Sequence, residues 1–129
     1  MAGEPALRTG VDIVEIARIE KSLSNPRFLA RLFGASEGEQ FAARGAKASF
    51  AAGNFCAKEA FSKALGTGVR GFALHEVEVL RDGLGAPYFV FSGEARRLVE
   101  TGGLGFSVSI SHCRAYAVAT VVAYRQYGD

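Results

Sequence analysis

The sequence contains few of the features that mark export, a disulfide scaffold or membrane insertion. It has only two cysteines, Cys56 and Cys113, which are too few for a disulfide scaffold and have no metal-ligand spacing. No apolar run approaches the ~20 residues of a membrane span. The first residues also lack the basic start and apolar segment of an export signal. We therefore expect a cytoplasmic, reduced protein without membrane contact.

The sequence also has little net charge, because 15 basic residues nearly balance 13 acidic ones. A net charge of +2 is too small to predict a nucleic-acid partner. The basic residues are more frequent in the first half of the chain, notably at Arg18, Lys21, Arg27 and Arg31. Such a distribution can steer an acidic partner or an anionic ligand, and an ordinary solvated surface is the alternative.

Repeats, low-complexity tracts and linkers are absent from the sequence, so residues 1–129 are predicted to form one domain. Alternating branched residues predict a strand over residues 9–16. Asn25 and Pro26 are typical of a helix N-cap and first position, predicting a helix that runs through residue 33 before Gly34 ends it.

The middle of the chain is predicted to be helical. Ser36 followed by Glu39 has the spacing of a capping box and predicts the start of a short helix. Residues 47–65 carry alanine, phenylalanine and leucine on all sides, which predicts a long central helix enclosed by the rest of the fold. Gly66 marks its C-terminal end.

The second half is predicted to contain a hairpin, a short helix and two final strands. The ranges are 75–82 and 86–91 for the hairpin, 92–102 for the helix, and 106–111 and 115–124 for the strands. The fold class is therefore α+β, a single domain with a long central helix packed on a mainly antiparallel sheet.

Three charged residues stand out among apolar neighbours. Glu59 and Lys63 are four apart and share one helix face, whereas Lys58 lies about 100° around the helix from Glu59. An exposed ion pair is the simple interpretation; a carboxylate for Mg²⁺ beside a lysine for phosphate is the functional one. Asp12, in a strand of valine and isoleucine, is either a turn cap, an arginine partner or a second metal ligand.

Other kinds of site find little support. The sequence has no His/Cys cluster for zinc, so a cation that prefers oxygen ligands is the better hypothesis. Ser109 and Ser111 lie outside any GxSxG motif, and no GK[ST] follows the glycines at residues 66–68 as a phosphate-binding loop would require. His112 lies at the link between the last two strands.

Three segments together resemble the holo-acyl-carrier-protein synthases, the small bacterial 4′-phosphopantetheinyl transferases. They are GVDIVEIARIE at residues 10–20, FAAGNFCAKEAFSKALGTG at 50–68 and SVSISHCRAYAVATVV at 107–122. The resemblance implies the 4′-phosphopantetheinyl transferase fold and a homotrimer. It places the sites at subunit boundaries, with Asp12 of one chain meeting Glu59 of its neighbour.

The resemblance also implies the reaction, in which the 4′-phosphopantetheine of coenzyme A moves to a serine of apo-acyl carrier protein. Adenosine 3′,5′-bisphosphate is released, and the product serves fatty acid biosynthesis. Asp12 and Glu59 would hold Mg²⁺, which binds the pyrophosphate, and Glu59 and Lys63 would be catalytic. The proton acceptor is either Glu59 or a metal-held water. The residues implied to bind coenzyme A are Lys63, Gly66, Thr67, Gly68 and His112.

Arg18, Arg27 and Arg31 match positions that the family presents to its acidic carrier protein. One position departs from the family pattern, because many members have arginine where this chain has Asn54. An amide can hydrogen-bond to the nucleotide but supplies no charge. Asn54 and Lys47 are therefore further candidates for coenzyme A binding, with Lys47 or Arg44 as sources of the missing charge.

Two other functions use the same residues. A Mg²⁺-dependent pyrophosphatase of nucleotide cofactors would share the metal and the lysine but use water as the acceptor. A carrier-protein-binding module without activity is the second alternative, and Asn54 is the residue that favours it.

Overall fold

The computed structural model describes residues 6–126. The first half contains one strand and four helices: β1 Leu7–Glu15, α1 Ile16–Ser22, α2 Pro26–Leu32, α3 Ala35–Ala43 and α4 Ala48–Leu65. The second half follows a single 3-10 turn at Leu74–Glu76 and contains β2 Val77–Arg81, β3 Pro87–Phe91, α5 Gly93–Gly102, β4 Leu104–His112 and β5 Tyr116–Arg125.

The strands form two antiparallel sheets. One has three strands in the order β1-β5-β4, and the other is the β2-β3 hairpin. Helix α4 packs against β1 and β5 and is buried along most of its length. This arrangement confirms the predicted α+β class with a long central helix. In the part of the chain that the structure describes, no helix has the length and hydrophobicity needed to cross a bilayer.

Small residues let the sheet approach α4 closely. On β5 the positions facing the helix include Ala117, Ala119 and Ala123, all buried. On β1 the same face carries Gly10, where a Cβ atom would overlap the carbonyl oxygen of Ala60 in the helix. Since successive strand residues alternate between faces, Asp12 points to the same side as Gly10. The close contact therefore places a carboxylate of β1 against α4.

The opposite face of the three-stranded sheet is apolar and open. Leu7, Val11 and Ile13 of β1 are 60%, 55% and 64% exposed, and they are flanked by exposed Tyr116 and Tyr124 of β5. Contiguous exposed apolar surface of this kind is typical of an interaction face.

The first half differs from the predictions in one additional helix and in one helix start. Helix α1, which begins directly after β1 without a side-chain cap, was not predicted. The capping box predicted at Ser36 and Glu39 is wrong, because the N-cap is Gly34, two residues earlier than Ser36. The carboxylate of Glu37 accepts a hydrogen bond from Gly34 N at 3.2 Å. The predicted Asn25 cap is confirmed, since its Oδ1 accepts from Arg27 N.

A cluster of aromatic rings attaches the β2-β3 hairpin to the central helix. Phe61 of α4 lies 5.5 Å from Phe89, 5.2 Å from Phe91 and 4.9 Å from Phe106, measured between ring centroids. Because Phe61 is fully buried, this packing fixes the hairpin relative to α4. Side chains at the end of β2 are thereby held against the first half of that helix.

Candidate functional site

Asp12 and Glu59 line the same cavity of about 300 Å³, between β1, α1, α2 and α4. Arg18 of α1 and Phe55 of α4 also line it. We call it the carboxylate cavity. The expectation that Asp12 would meet Glu59 of a neighbouring chain is corrected, because both carboxylates reach this cavity within a single chain.

Lys63 lies one helical turn after Glu59 and reaches across to β1. Its Nζ donates to the carbonyl oxygen of Val11 at 2.9 Å and lies 3.4 Å from Asp12 Oδ1. The ammonium is therefore anchored beside the Asp12 carboxylate, and the side chain is still 55% exposed. An anchored but accessible cation of this kind can contact a phosphate group of a ligand.

The electrostatics of the carboxylate cavity favour a cation. Burial raises the pKa of Glu59, and the Asp12 charge raises it further, while Lys63 lowers it. Arg18 and Lys63 balance the formal charge of the two carboxylates, but the two carboxylates face each other in a partly desolvated place, where a cation bound between them would reduce their repulsion. Residues 6–126 contain no cluster of three or more His, Cys, Asp or Glu side chains arranged for a metal. A pair of carboxylates suits Mg²⁺, which takes its remaining oxygen ligands from water and substrate phosphates.

A second cavity, of about 330 Å³, lies at the N-terminal end of α4 and carries positive groups. Arg44, Lys47, Arg81 and His112 line it, and none of its lining residues is acidic. We call it the cationic cavity. Helix α4 begins beside it with no side-chain cap and no acidic residue in its first turn, so the positive end of the helix dipole adds to these charges. The predicted residues Lys47 and His112 are thus brought together.

Asn54 lines neither cavity, so the structure gives no support to its predicted contact with coenzyme A. The side chain is fully buried, and its amide nitrogen donates to Glu37 Oε2 at 2.9 Å and to the carbonyl oxygen of Val79 at 3.0 Å. Its Oδ1 accepts from Arg81 Nη2 at 2.8 Å. Asn54 therefore supports the guanidinium of Arg81 from beneath the cationic cavity.

Glu37 and Lys58 form a buried ion pair that the sequence analysis missed. Lys58 Nζ donates to Glu37 Oε1 at 2.8 Å and to the carbonyl oxygens of Leu32 and Leu74, and both charged side chains are 0% exposed. Burial raises the pKa of Glu37 and lowers that of Lys58, and the attraction between the two opposes both changes. Lys58 points away from the carboxylate cavity, as its helix position predicts, but it is a structural residue and not a solvated one.

The remaining predicted ligand residues follow the C-terminus of α4. Gly66 adopts a left-handed conformation with φ of 88° and ends the helix, as expected for a glycine C-cap. Thr67 and Gly68 are exposed, and the three residues line neither the carboxylate nor the cationic cavity. Their contact with coenzyme A stays a prediction.

The three arginines assigned to the carrier protein are exposed on α1 and α2, two of the elements that border the carboxylate cavity. Arg27 and Arg31 are exposed on α2, four residues apart on one helix face. Arg18 is exposed on α1 and lines the cavity itself. Of the three, Arg18 is the one that lies next to the candidate metal ligands.

Comparison with known proteins places these features in a family. Residues 8–121 match the model of the 4′-phosphopantetheinyl transferase superfamily. A holo-acyl-carrier-protein synthase of Clostridium botulinum is 46% identical over 88% of this chain and 93% of its own length. The crystal structure of the synthase from Neisseria meningitidis superposes with a TM-score of 0.85 at 32% identity, covering 92% of this chain and 98% of that one.

The synthase of Helicobacter pylori, solved in complex with coenzyme A, superposes with a TM-score of 0.79 at 34% identity. It covers 89% of this chain and 98% of that chain. These matches span nearly the whole described structure, including both cavities. The chain therefore belongs to the 4′-phosphopantetheinyl transferase superfamily, among the holo-acyl-carrier-protein synthases.

Proposed function

We propose that the protein is a Mg²⁺-dependent holo-acyl-carrier-protein synthase that acts in the cytoplasm and supports fatty acid biosynthesis. It transfers 4′-phosphopantetheine from coenzyme A to a serine of apo-acyl carrier protein and releases adenosine 3′,5′-bisphosphate. The observation that carries this proposal is the meeting of Asp12 and Glu59 in one cavity with Lys63 anchored beside them. Membership of the family supports it.

In the proposed reaction the serine oxygen forms a bond to the β-phosphorus of coenzyme A. The bond from that phosphorus to the bridging oxygen breaks, and the electron pair leaves with adenosine 3′,5′-bisphosphate. Asp12 and Glu59 would hold Mg²⁺, which supplies positive charge against the pyrophosphate. Lys63, fixed by Val11, adds an oriented donor where negative charge develops. Glu59 or a water molecule would accept the serine proton.

One assay separates this function from its alternatives. The protein is incubated with coenzyme A, Mg²⁺ and an apo-acyl carrier protein, and the carrier is then weighed by mass spectrometry. Addition of one phosphopantetheine group supports the proposal. Cleaved coenzyme A with an unmodified carrier identifies a pyrophosphatase, and binding of the carrier without chemistry identifies an inactive binding module.

We also propose a homotrimer whose sites lie between subunits. In one chain the two cavities are separated along α4, because Phe50 of the cationic cavity and Glu59 of the carboxylate cavity are about 14 Å apart along the helix axis. The 3′-phosphate and the pyrophosphate of coenzyme A are attached to the same ribose, so they span less than this. A complete site therefore pairs the carboxylate cavity of one subunit with the cationic cavity of another.

The exposed apolar face of β1 and β5 is the proposed subunit contact. Val11→Lys, on that face, is expected to produce monomers in sedimentation velocity and to lose transfer activity, since a lysine there would have to be desolvated in the interface. Leu84→Lys, at a hairpin turn residue that is 98% exposed, is the matched control and should remain trimeric. A wild-type protein that sediments as a monomer would contradict the proposal.

Recognition of the carrier is proposed to use Arg18, Arg27 and Arg31. Reversal of charge in Arg27→Glu with Arg31→Glu is expected to raise KM for the carrier by ~10-fold or more, since complementary charges speed encounter and fix register. Steady-state kinetics should show the effect shrinking as salt increases. KM for coenzyme A should remain the same.

The control for this pair is Arg96→Glu with Arg97→Glu on α5, where both arginines are exposed and paired within their own helix. That variant should leave both KM values unchanged. An increase in KM for coenzyme A in the α2 variant would instead assign those arginines to the nucleotide site.

A further inference from the structure

Arg81 is held in an unusual way for an arginine at the end of a strand. Its Nη2 donates to Asn54 Oδ1 at 2.8 Å, and its guanidinium carbon lies 4.6 Å from the centre of the Phe50 ring. The backbone is fixed as well, because Gln40 accepts from Arg81 N at 2.8 Å and donates to Arg81 O at 2.9 Å. Such a side chain is oriented before any ligand arrives.

The guanidinium still has unused hydrogen-bonding capacity. Its Nη1 is buried and has no hydrogen-bond partner among the residues that the structure describes. Burial and the nearby charge of Arg44 lower the pKa of Arg81 to about 10. An unpartnered charged group in a desolvated place is costly, and a bound anion would reduce that cost.

The chemistry of the cationic cavity indicates which anion fits. Arg44, Lys47 and His112 surround Arg81, and no acidic residue lines the cavity. Planar guanidinium groups form charge-assisted, often paired hydrogen bonds with phosphate oxygens. A phosphate monoester, with its high charge and three terminal oxygens, matches this set of donors better than a carboxylate or a neutral group does.

We infer that Arg81 binds the ribose 3′-phosphate of coenzyme A and makes the enzyme select 3′-phosphorylated nucleotides. The inference rests on the proposed function for the identity of the ligand. Asn54 is then a positioning residue, fixed by Glu37, that orients the guanidinium from the central helix. The positive charge that position 54 lacks is supplied from β2.

The test uses two nucleotides that differ only in the 3′-phosphate, adenosine 3′,5′-bisphosphate and adenosine 5′-monophosphate. Their affinities for the full-length protein are measured by calorimetry. The wild type should bind the bisphosphate roughly 10-fold or more tighter. Arg81→Gln should reduce that preference by roughly 10- to 100-fold, as expected for loss of a charge-assisted hydrogen bond. Only the affinity for the bisphosphate should fall. Arg97→Gln, at an exposed arginine of α5, is the matched control and should keep the wild-type preference.

If Arg81 had only a structural role, Arg81→Gln would weaken the binding of both nucleotides equally. An unchanged preference for the bisphosphate in Arg81→Gln therefore overturns the inference. The same holds if the wild type binds both nucleotides alike. If Arg81→Gln fails to fold, Arg81→Lys replaces it; the lysine keeps the charge without the paired donors, so an intermediate preference is expected and a wild-type preference contradicts the inference. Nucleotide binding requires no carrier protein, so a wild type that discriminates but transfers nothing would overturn only the proposed function.

Discussion

Asp12→Ala and Glu59→Ala are each expected to abolish phosphopantetheine transfer and to leave the protein folded. Both carboxylates line one cavity, and Asp12 raises the pKa of Glu59 by its charge, so the two act on the same small volume. With one carboxylate removed, the site would lose one of the two proposed ligands for Mg²⁺. Transfer is measured by the mass of the carrier, and Mg²⁺ affinity by calorimetry.

Folding should survive because neither side chain contributes much to stability. The Asp12–Lys63 pair is partly exposed, and such pairs contribute about 0–1 kcal/mol. Glu100→Ala, which removes an exposed carboxylate of α5, a helix that does not line the cavity, is the control and should retain full turnover. If either cavity variant kept near-normal turnover at low Mg²⁺, the metal assignment would be wrong.

Lys58→Ala is expected to lower the free energy of unfolding by about 3–5 kcal/mol, the typical result of breaking a buried ion pair by removing one partner. Glu37 would keep its hydrogen bonds from Gly34 N and Val79 N but lose its only charged partner among the described contacts. The carbonyl oxygens of Leu32 and Leu74 would also lose their donor. Urea denaturation followed by circular dichroism measures the change.

Lys63→Ala is the matched control, because Lys63 lies on the same helix but its side chain is exposed. It should lower the free energy of unfolding by about 1 kcal/mol or less. The double variant Glu37→Gln with Lys58→Met should recover part of the loss, since it leaves no unpaired charge in the core. Equal losses of stability for Lys58→Ala and Lys63→Ala would show that the buried Glu37–Lys58 pair contributes no more to stability than the exposed Asp12–Lys63 pair.

Much of the fold could be predicted from the sequence because its signals are local. The alternation in β1, the apolar surface of α4 with Gly66 at its end, and the turn between β2 and β3 are patterns within short windows. Helix α1 was missed because its N-cap, Glu15, makes no side-chain cap bond and the preceding strand pattern runs into it. The Ser36 cap was wrong because Glu37 fits the same spacing from Gly34.

The candidate site divides in the same way. The carboxylates of Asp12 and Glu59 could be predicted, since charges in apolar segments and the family motifs both indicate them. Arg81 could not be assigned a role, because its position depends on contacts with Asn54 and Phe50, which lie far away in the sequence. One signal was present: Arg81 follows Val77 and Val79 on the inward face of β2, where an arginine is uncommon unless it has a partner.

The separation of the two cavities along α4 predicts how mutations in different subunits of the proposed trimer would combine. A chain that lacks Asp12 still offers an intact cationic cavity to its neighbour, and a chain that lacks Arg81 still offers an intact carboxylate cavity. In a trimer assembled from both kinds of chain, one boundary joins the two intact halves. If the proposed trimer forms, an Asp12→Ala chain and an Arg81→Gln chain are therefore expected to complement one another when their subunits mix, with one complete site for every such boundary.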